Sequence, residues 1–363
     1  MKTKILFLVL ILSLVLIPIM SGCETEEAPD DEAGQSITLE FATFWPEPDF
    51  QVSEGHQKIW ADEIKNRVEE ETPHTIDFHW HPGQSLLEMP ELYSGVADGV
   101  ADIGTTCPSY TPGVFPVTEA FELPGLPNDN ALVASMTIQE AYNQSEHVQE
   151  EYEDVKVMHF WATGPGDFMT NTRIESAEDL DGLPIRAVGG SKRWVERLGA
   201  DTVDFGMGAS YENIEQGVVD GLLAPTDTLK GFMLAEVTQY ITKCPPAYNM
   251  VFMKVMNRDT WNGLPEEVQD IIEEVNAQTV EEYGKLRTDH TVEGQEFGVE
   301  EHDMEVIELE EDEYQRWLEE TEPILDDYIE ELNEEGLPGE EIMDLAFEIA
   351  EEKSEKYGDY DEE

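Results

Sequence analysis

From residue 37 onward, short apolar strand-like segments alternate with amphipathic helical ones, and that order restricts the chain to an α/β architecture. Residues 37–44 (ITLEFATF) alternate apolar and polar, then run apolar until Pro46 and Pro48 stop them. Residues 55–71 place Ile59, Trp60, Ile64 and Val68 at helical spacing. A strand follows over Thr75–His81, a helix over 89–98, a short apolar strand over 100–104 and a further strand over 155–163. A second set begins at Ser176-x-x-Asp179, a capping-box helix start. It continues as strand 183–188, helix 191–198, strand 202–205, helix 210–216, strand 218–223 and helix 229–238. Strand 248–255 and a long helix opening at Leu264-Pro265 then lead back toward the first set, and the tail from Glu311 is helical and acidic. Two α/β lobes with a cleft between them suit small-ligand binding.

The first 23 residues read as an export signal. Lys2 and Lys4 precede an apolar run over 5–20, which is short for a membrane span of ~20 residues. The run ends in Met20-Ser21-Gly22-Cys23, which resembles a bacterial lipoprotein signal that leaves Cys23 as the lipidated first residue. Residues 24–36 are polar and Pro-containing, a flexible tether. The folded part therefore faces the outside, anchored to the membrane through Cys23 or free in the periplasm. Cys107 and Cys244 remain, as a disulfide or as two separate thiols.

The charge excludes whole classes of function. Against 82 Asp and Glu stand 20 Lys and Arg, a net of −62. Phosphate neutralisation has no basic surplus to work with, so nucleic acid is not a partner. A polybasic contact with anionic lipid is excluded in the same way. Hydrophobic content is an ordinary 40%, so the acids decorate a normal core. We read the excess as adaptation to high external salt, which screens self-repulsion. An acidic tail explains only part of it: residues 262–363 hold 39 acids and 5 bases.

Against this background, residues 182–261 are nearly neutral, with 9 acids and 8 bases. Lys192, Arg193 and Arg197 lie on a helix with acids nearby, as ordinary surface pairs do. Arg186 differs. It ends an apolar strand and precedes Ala187-Val188-Gly189-Gly190 and a helix. Strand carboxyl ends followed by glycine turns are where α/β proteins bind ligands, and a guanidinium grips a carboxylate bidentately.

Several ordered motifs then carry a resemblance. They are Pro82-Gly83-Gln84-Ser85-Leu86, Asp98-Gly99-Val100-Ala101-Asp102-Ile103-Gly104 and Tyr110-x2-Gly113-x-Phe115-Pro116 in the first half. In the second half they are Glu178-Asp179-Leu180-Asp181-Gly182-Leu183-Pro184-Ile185-Arg186, Leu198-Gly199-Ala200 and Tyr211-x5-Gly217-Val218-Val219-Asp220-Gly221. Together they resemble the substrate-binding proteins of TRAP (tripartite ATP-independent periplasmic) transporters, the C4-dicarboxylate-type solute receptors, over roughly residues 38–330. The resemblance implies a two-lobe, periplasmic-binding-protein-like α/β fold with mixed sheets, a central cleft and a long hinge-spanning helix. It divides the chain into signal 1–22, tether 23–36, lobe 1 over 37–165 with return 250–290, lobe 2 over 166–249 with return 291–335, and an acidic C-terminal helix over 336–363. It implies capture of a small organic anion, a carboxylate or sulfonate, for delivery to the small and large membrane subunits of the permease. Arg186 would hold the carboxylate, with Arg173 assisting, and Trp45, Thr106, Cys107, Tyr110, Met207 and Thr226 would line the site. The Asn that many relatives carry after the Asp220-Gly221 turn is absent here, where the chain reads Leu222-Leu223-Ala224-Pro225-Thr226. No cofactor or resident metal is implied, and no catalytic role.

Two other readings stand beside this one. A binding protein of an ATP-driven importer shares the two-lobe plan. A metal-dependent hydrolase would use Asp77, His79 and His81, which alternation places on one strand face.

Overall fold

The computed structural model describes residues 34–47 and 49–360; the export signal, Cys23 and most of the tether lie outside the described residues. Among the described residues, eleven strands form two mixed sheets. They are β1 (Ser36–Thr43), β2 (Thr75–His81), β3 (Ile103–Thr106), β4 (Val155–Ala162), β5 (Asp167–Thr170), β6 (Pro184–Arg186), β7 (Asp201–Val203), β8 (Gly221–Ala224), β9 (Tyr240–Thr242), β10 (Val251–Asn257) and β11 (Glu305–Ile307). The first sheet runs β2-β1-β3-β10-β4 and the second β11-β9-β5-β8-β6-β7. Within the first, β1 pairs parallel with β2 and β3, as consecutive βαβ units require. β10 returns from far along the chain and inserts antiparallel between β3 and β4. The second sheet is mixed for the same reason, with β5 antiparallel to both β8 and β9.

Several elements depart from the sequence expectation. The first helix starts earlier and is wound in π fashion over Gln51–Ala61 before becoming an ordinary helix over Asp62–Glu71. The buried helix Ala131–Gln144, capped by the Asn130 side chain, was not anticipated, because apolar residues surround it and leave no one-sided pattern. The expected helix over 229–238 is instead two short pieces, Asp227–Gly231 and Leu234–Glu236. Strands β5, β9 and β11 are too short to show alternation. The acidic C-terminal segment forms the helix Gly339–Tyr357. It buries Ile342, Met343, Ala346, Ile349 and Ala350 in the largest core cluster and packs on Ala131–Gln144. Cys107 and Cys244 are free thiols.

The 37-residue helix Glu266–His302 packs against Ala131–Gln144 beside the first sheet and against Asp227–Gly231 beside the second. Glycines permit both approaches. A Cβ on Gly284 would lie 2.8 Å from the Leu132 backbone, and one on Gly294 would lie 2.2 Å from the Thr226 carbonyl oxygen. Thr226 fixes the second junction by donating its hydroxyl to the Thr291 carbonyl at 2.6 Å. Gly294→Ala is therefore expected to lower the melting temperature. Alanine gains about 1 kcal/mol of helix propensity, but displacing backbone costs about 1–3 kcal/mol and also moves a contact that joins the helix to the second sheet. An unchanged melting curve would contradict the close approach.

Candidate functional site

The carboxyl ends of β1, β3, β4 and β8 all lead into residues that converge on one cavity. Beyond β1 come Phe44 and Trp45, beyond β3 the turn carrying Tyr110, beyond β4 Thr163, and beyond β8 Pro225 and Thr228. Because β10 runs antiparallel, its entry end contributes Tyr248, Met250 and Phe252, and Phe232 and Met207 add walls from the second half. The enclosed volume is about 30 Å³, room for a water or two and no more. A larger hollow of about 610 Å³ near Leu132, Lys285 and Tyr357 has no such convergence of strand ends.

The walls are aromatic. Trp45 stacks on Phe44 with centroids 3.9 Å apart and meets Phe252 edge-on at 4.9 Å. Tyr110 presents its ring to Phe44 edge-on at 5.4 Å. Burial pushes the Tyr248 hydroxyl up to about 12, and burial raises the Tyr110 hydroxyl as well, so both phenols stay neutral hydrogen-bond donors. The Arg186 charge opposes that rise at both tyrosines.

Arg186 has 0% of its surface exposed. Its Nε donates to the Phe205 carbonyl at 3.2 Å, while Nη1 and Nη2 find no partner among the described residues. A buried cation with two unmet donors is costly, and native proteins keep such groups where a ligand completes them. Arg287, on the long helix, was missed by sequence reasoning and lines the cavity directly. Its Nη2 pairs with buried Asp227 Oδ2 at 3.0 Å and its guanidinium lies 5.3 Å from the Phe252 ring centroid, while Nε and Nη1 are unpartnered among the described residues. Arg287 thus offers two unmet donor atoms at the aromatic cavity, and Arg186, which acts on its tyrosines, carries two more.

The expected set divides. Trp45, Tyr110 and Met207 line the cavity; Arg186 is not among the lining residues but acts electrostatically on two of them, Tyr110 and Tyr248. Thr106 and Cys107 are fully buried and do not line it; the Thr106 hydroxyl has no partner among the described residues, and burial raises the Cys107 thiol, so it is no nucleophile. Thr226 is turned to Thr291, and Thr228 takes its place in the wall. Arg173 requires correction. It lies past the far end of β5, exposed, paired with Glu175 at 3.2 Å and with Glu305, so the acids of an acidic surface claim it. The strand-face triad is corrected too: Asp77 pairs with Lys65 at 3.2 Å, and Glu40 of the neighbouring strand meets both imidazoles instead.

Residues 51–331 match the sequence profile of the bacterial extracellular solute-binding protein family 7. The chain belongs to that family. Family 7 relatives with assigned ligands include an ectoine/5-hydroxyectoine-binding periplasmic protein of Ruegeria pomeroyi, 24% identical over 60% of this chain and 64% of that protein. They also include a C4-dicarboxylate-binding periplasmic protein of Rhodobacter capsulatus, 22% identical over 76% of this chain and 84% of that one. The chain thus spans a little under two thirds of the length of several curated relatives that it matches. Among solved structures, a TRAP solute-binding protein from Rhodoferax ferrireducens with copurified benzoate superposes with TM-score 0.81 at 26% identity, covering 88% of this chain and 99% of that one. A marine-metagenome TRAP protein specific for aromatic acids, holding 3-hydroxybenzoate, gives TM-score 0.82 at 26% identity over 88% and 99%. Family 7 is a family of bacterial extracellular solute-binding proteins, and among the described residues no helix is long and apolar enough to cross a membrane.

Four carboxyls near this site or its supports are held protonated toward neutral pH, each chiefly by burial. Glu122, accepting from Ser109 Oγ and from the Val251 N–H, is pushed up to about 8, and Asp49, Glu119 and Glu151 to about 7. Folded, these groups bind protons more tightly than ordinary Asp and Glu carboxyls, at 3.8 and 4.5, do. From about pH 4 to pH 8 the unfolded chain therefore carries fewer protons, and stability falls as pH rises. In molar NaCl, which screens the surface, melting temperature is expected to drop from pH 5 to pH 8, and Glu122→Gln to shrink that drop. A wild-type melting temperature independent of pH would contradict it.

Proposed function

We propose that this protein is an extracytoplasmic receptor that captures a small aromatic carboxylate and delivers it to a TRAP-type permease. The observation that carries the reading is the pair of buried, under-satisfied guanidiniums of Arg186 and Arg287 at an aromatic cavity. A carboxylate bridging them would satisfy donors that are now unmet, and a ring would slide between the Trp45, Tyr110 and Phe252 faces. Benzoate and 3-hydroxybenzoate in structural relatives point the same way. A flexible C4-dicarboxylate would leave these aromatic walls unused.

Binding is differential between open and closed states. The cavity of about 30 Å³ is far too small to admit a ring, so the lobes part to load and close on the bound acid. Between closed lobes the charge pair is shielded from water, which strengthens it. In this reading Cys23 carries a lipid anchor, residues 24–36 let the receptor reach the permease, and the acidic surface serves a saline exterior.

The test is a thermal-shift series in molar NaCl, with native mass spectrometry of whatever co-purifies. Benzoate and hydroxybenzoates are expected to raise the melting temperature, and succinate to do so weakly. Stabilisation by succinate alone would replace the aromatic acid with a dicarboxylate. No response to any organic acid would reject the reading.

A further inference from the structure

The edge of the first sheet carries a cluster that solute capture does not use. Strand β2 is the outermost strand, and its residues alternate: Ile76 and Phe78 point to the core while His79 and His81 lie on the other face. Parallel pairing with β1 sets Glu40 directly opposite His79. The imidazole centroids are 4.7 Å apart. Glu40 Oε2 stands 2.9 Å from His79 Nδ1 and 2.5 Å from His81 Nε2, and all three ligating groups lie within 4.8 Å of one another.

We propose that Glu40, His79 and His81 form a site for a borderline divalent transition-metal ion, of which Zn²⁺ is the representative. Two imidazoles with one carboxylate are a ligand set suited to Zn²⁺, Ni²⁺ or Cu²⁺, and poorly suited to Mg²⁺ or Ca²⁺, which want oxygen alone. The geometry allows it. A tetrahedral ion with bonds of about 2.0–2.2 Å holds its donors roughly 3.4 Å apart. The Glu40 carboxylate needs to move roughly 1 Å or less from each imidazole nitrogen, and the two nitrogens already lie within 4.8 Å of one another, so ordinary side-chain rotation completes the set. The backbone is fixed by the β1–β2 register, so the donors arrive largely organised. His81 is the anchor, with its side chain 20% exposed, and His79 at 64% forms the solvent-facing side of the site. At least one coordination position stays open to water.

The ion would tie the edge strand β2 to β1, its neighbour in the sheet. An exposed edge is a place where strands of other chains add on, and a bridge between β1 and β2 stiffens that edge. The site is far in sequence from Arg186 and Arg287 and shares no residue with the cavity, so it stands whether or not the ligand reading does.

A diffuse acidic surface also attracts cations, so the test must separate the two. The full chain is titrated with Co²⁺ and then Zn²⁺ in molar NaCl with excess Mg²⁺, following the visible d–d absorption and the melting temperature. One equivalent of Co²⁺ is expected to produce the band of a four-coordinate nitrogen/oxygen site. Zn²⁺ should bleach it and raise the melting temperature. His79→Asn and His81→Asn should each abolish the saturable step, with metal-free melting temperatures like that of the wild type, while Asp77→Asn leaves it intact. Benzoate-induced stabilisation should be the same in His81→Asn as in the wild type. No saturable step in the wild-type protein, or one that survives His81→Asn, would overturn the proposal.

Discussion

Replacing Arg186 with methionine is expected to abolish ligand-induced thermal stabilisation while leaving the ligand-free protein as stable as the wild type or more so. The two effects have opposite signs because the same group is costly without ligand and valuable with it. Arg186 is fully enclosed, with one hydrogen bond to Phe205 and two terminal nitrogens unmatched among the described residues. Exchanging a buried ionic group for an apolar one of similar volume is commonly neutral or stabilising by about 1–4 kcal/mol. Removing one side of a buried charge pair with a ligand costs about 2–5 kcal/mol, at least 30-fold or so in affinity. A residue that merely held the fold together would show a lower melting temperature and proportionate loss of binding.

Arg287 provides the contrast. Asp227 is buried against it at 3.0 Å, and Arg287→Met would leave that carboxylate enclosed without its cation. Burial already raises Asp227, and Arg287 holds that rise in check. Stability and affinity should therefore fall together in Arg287→Met. Calorimetric melts of both variants with and without benzoate distinguish the two roles. If Arg186→Met still gains stability from the ligand, the carboxylate is bound elsewhere.

The difference between these arginines also shows what the sequence could tell and what it could not. Arg186 was legible because its neighbours are informative: an apolar strand before it and a glycine turn after it. Trp45 and Tyr110 were named only because the family resemblance implies ligand contacts at those positions. Arg287 sits mid-helix among Glu281, Glu282, Asp289 and Glu293, which reads as a solvated face. Only tertiary packing, with Asp227–Gly231 brought against that helix, turns it inward. Arg173 failed in the opposite direction. Its local spacing resembled a ligand contact, but Glu305, distant in sequence, arrives on β11 and takes it. Fold legibility follows the same rule. Strands with alternation, such as β1 and β2, were found with nearly correct ends. The helix Ala131–Gln144, buried around most of its circumference, carried no period to read.

Raising NaCl from about 0.1 M to about 1 M is expected to increase the melting temperature by on the order of 10 °C, the equivalent of several kcal/mol for a chain of this size. The argument rests on numbers of charges. Surface cations are already engaged: Arg67 bridges Glu71 and Glu274, Arg193 takes Glu331, Arg197 takes Glu320, and Lys156 takes Glu273. Salt weakens those exposed pairs, but each contributes only about 0–1 kcal/mol. With 82 acids and 20 bases, most carboxylates have no cation to face, and their neighbours are other carboxylates. Their repulsion acts over the Debye length, which shrinks from about 10 Å to about 3 Å across this range. Losing repulsion among many unpaired acids therefore outweighs losing a handful of attractions. The shape of the response separates screening from a general salting-out of apolar surface. Screening saturates once the Debye length falls below the spacing of neighbouring charges, whereas preferential exclusion of salt keeps strengthening burial as concentration climbs. A melting temperature that rises steeply and then levels off near molar salt is the expected curve. A flat or falling one would mean that the acids are tolerated for a reason other than salinity.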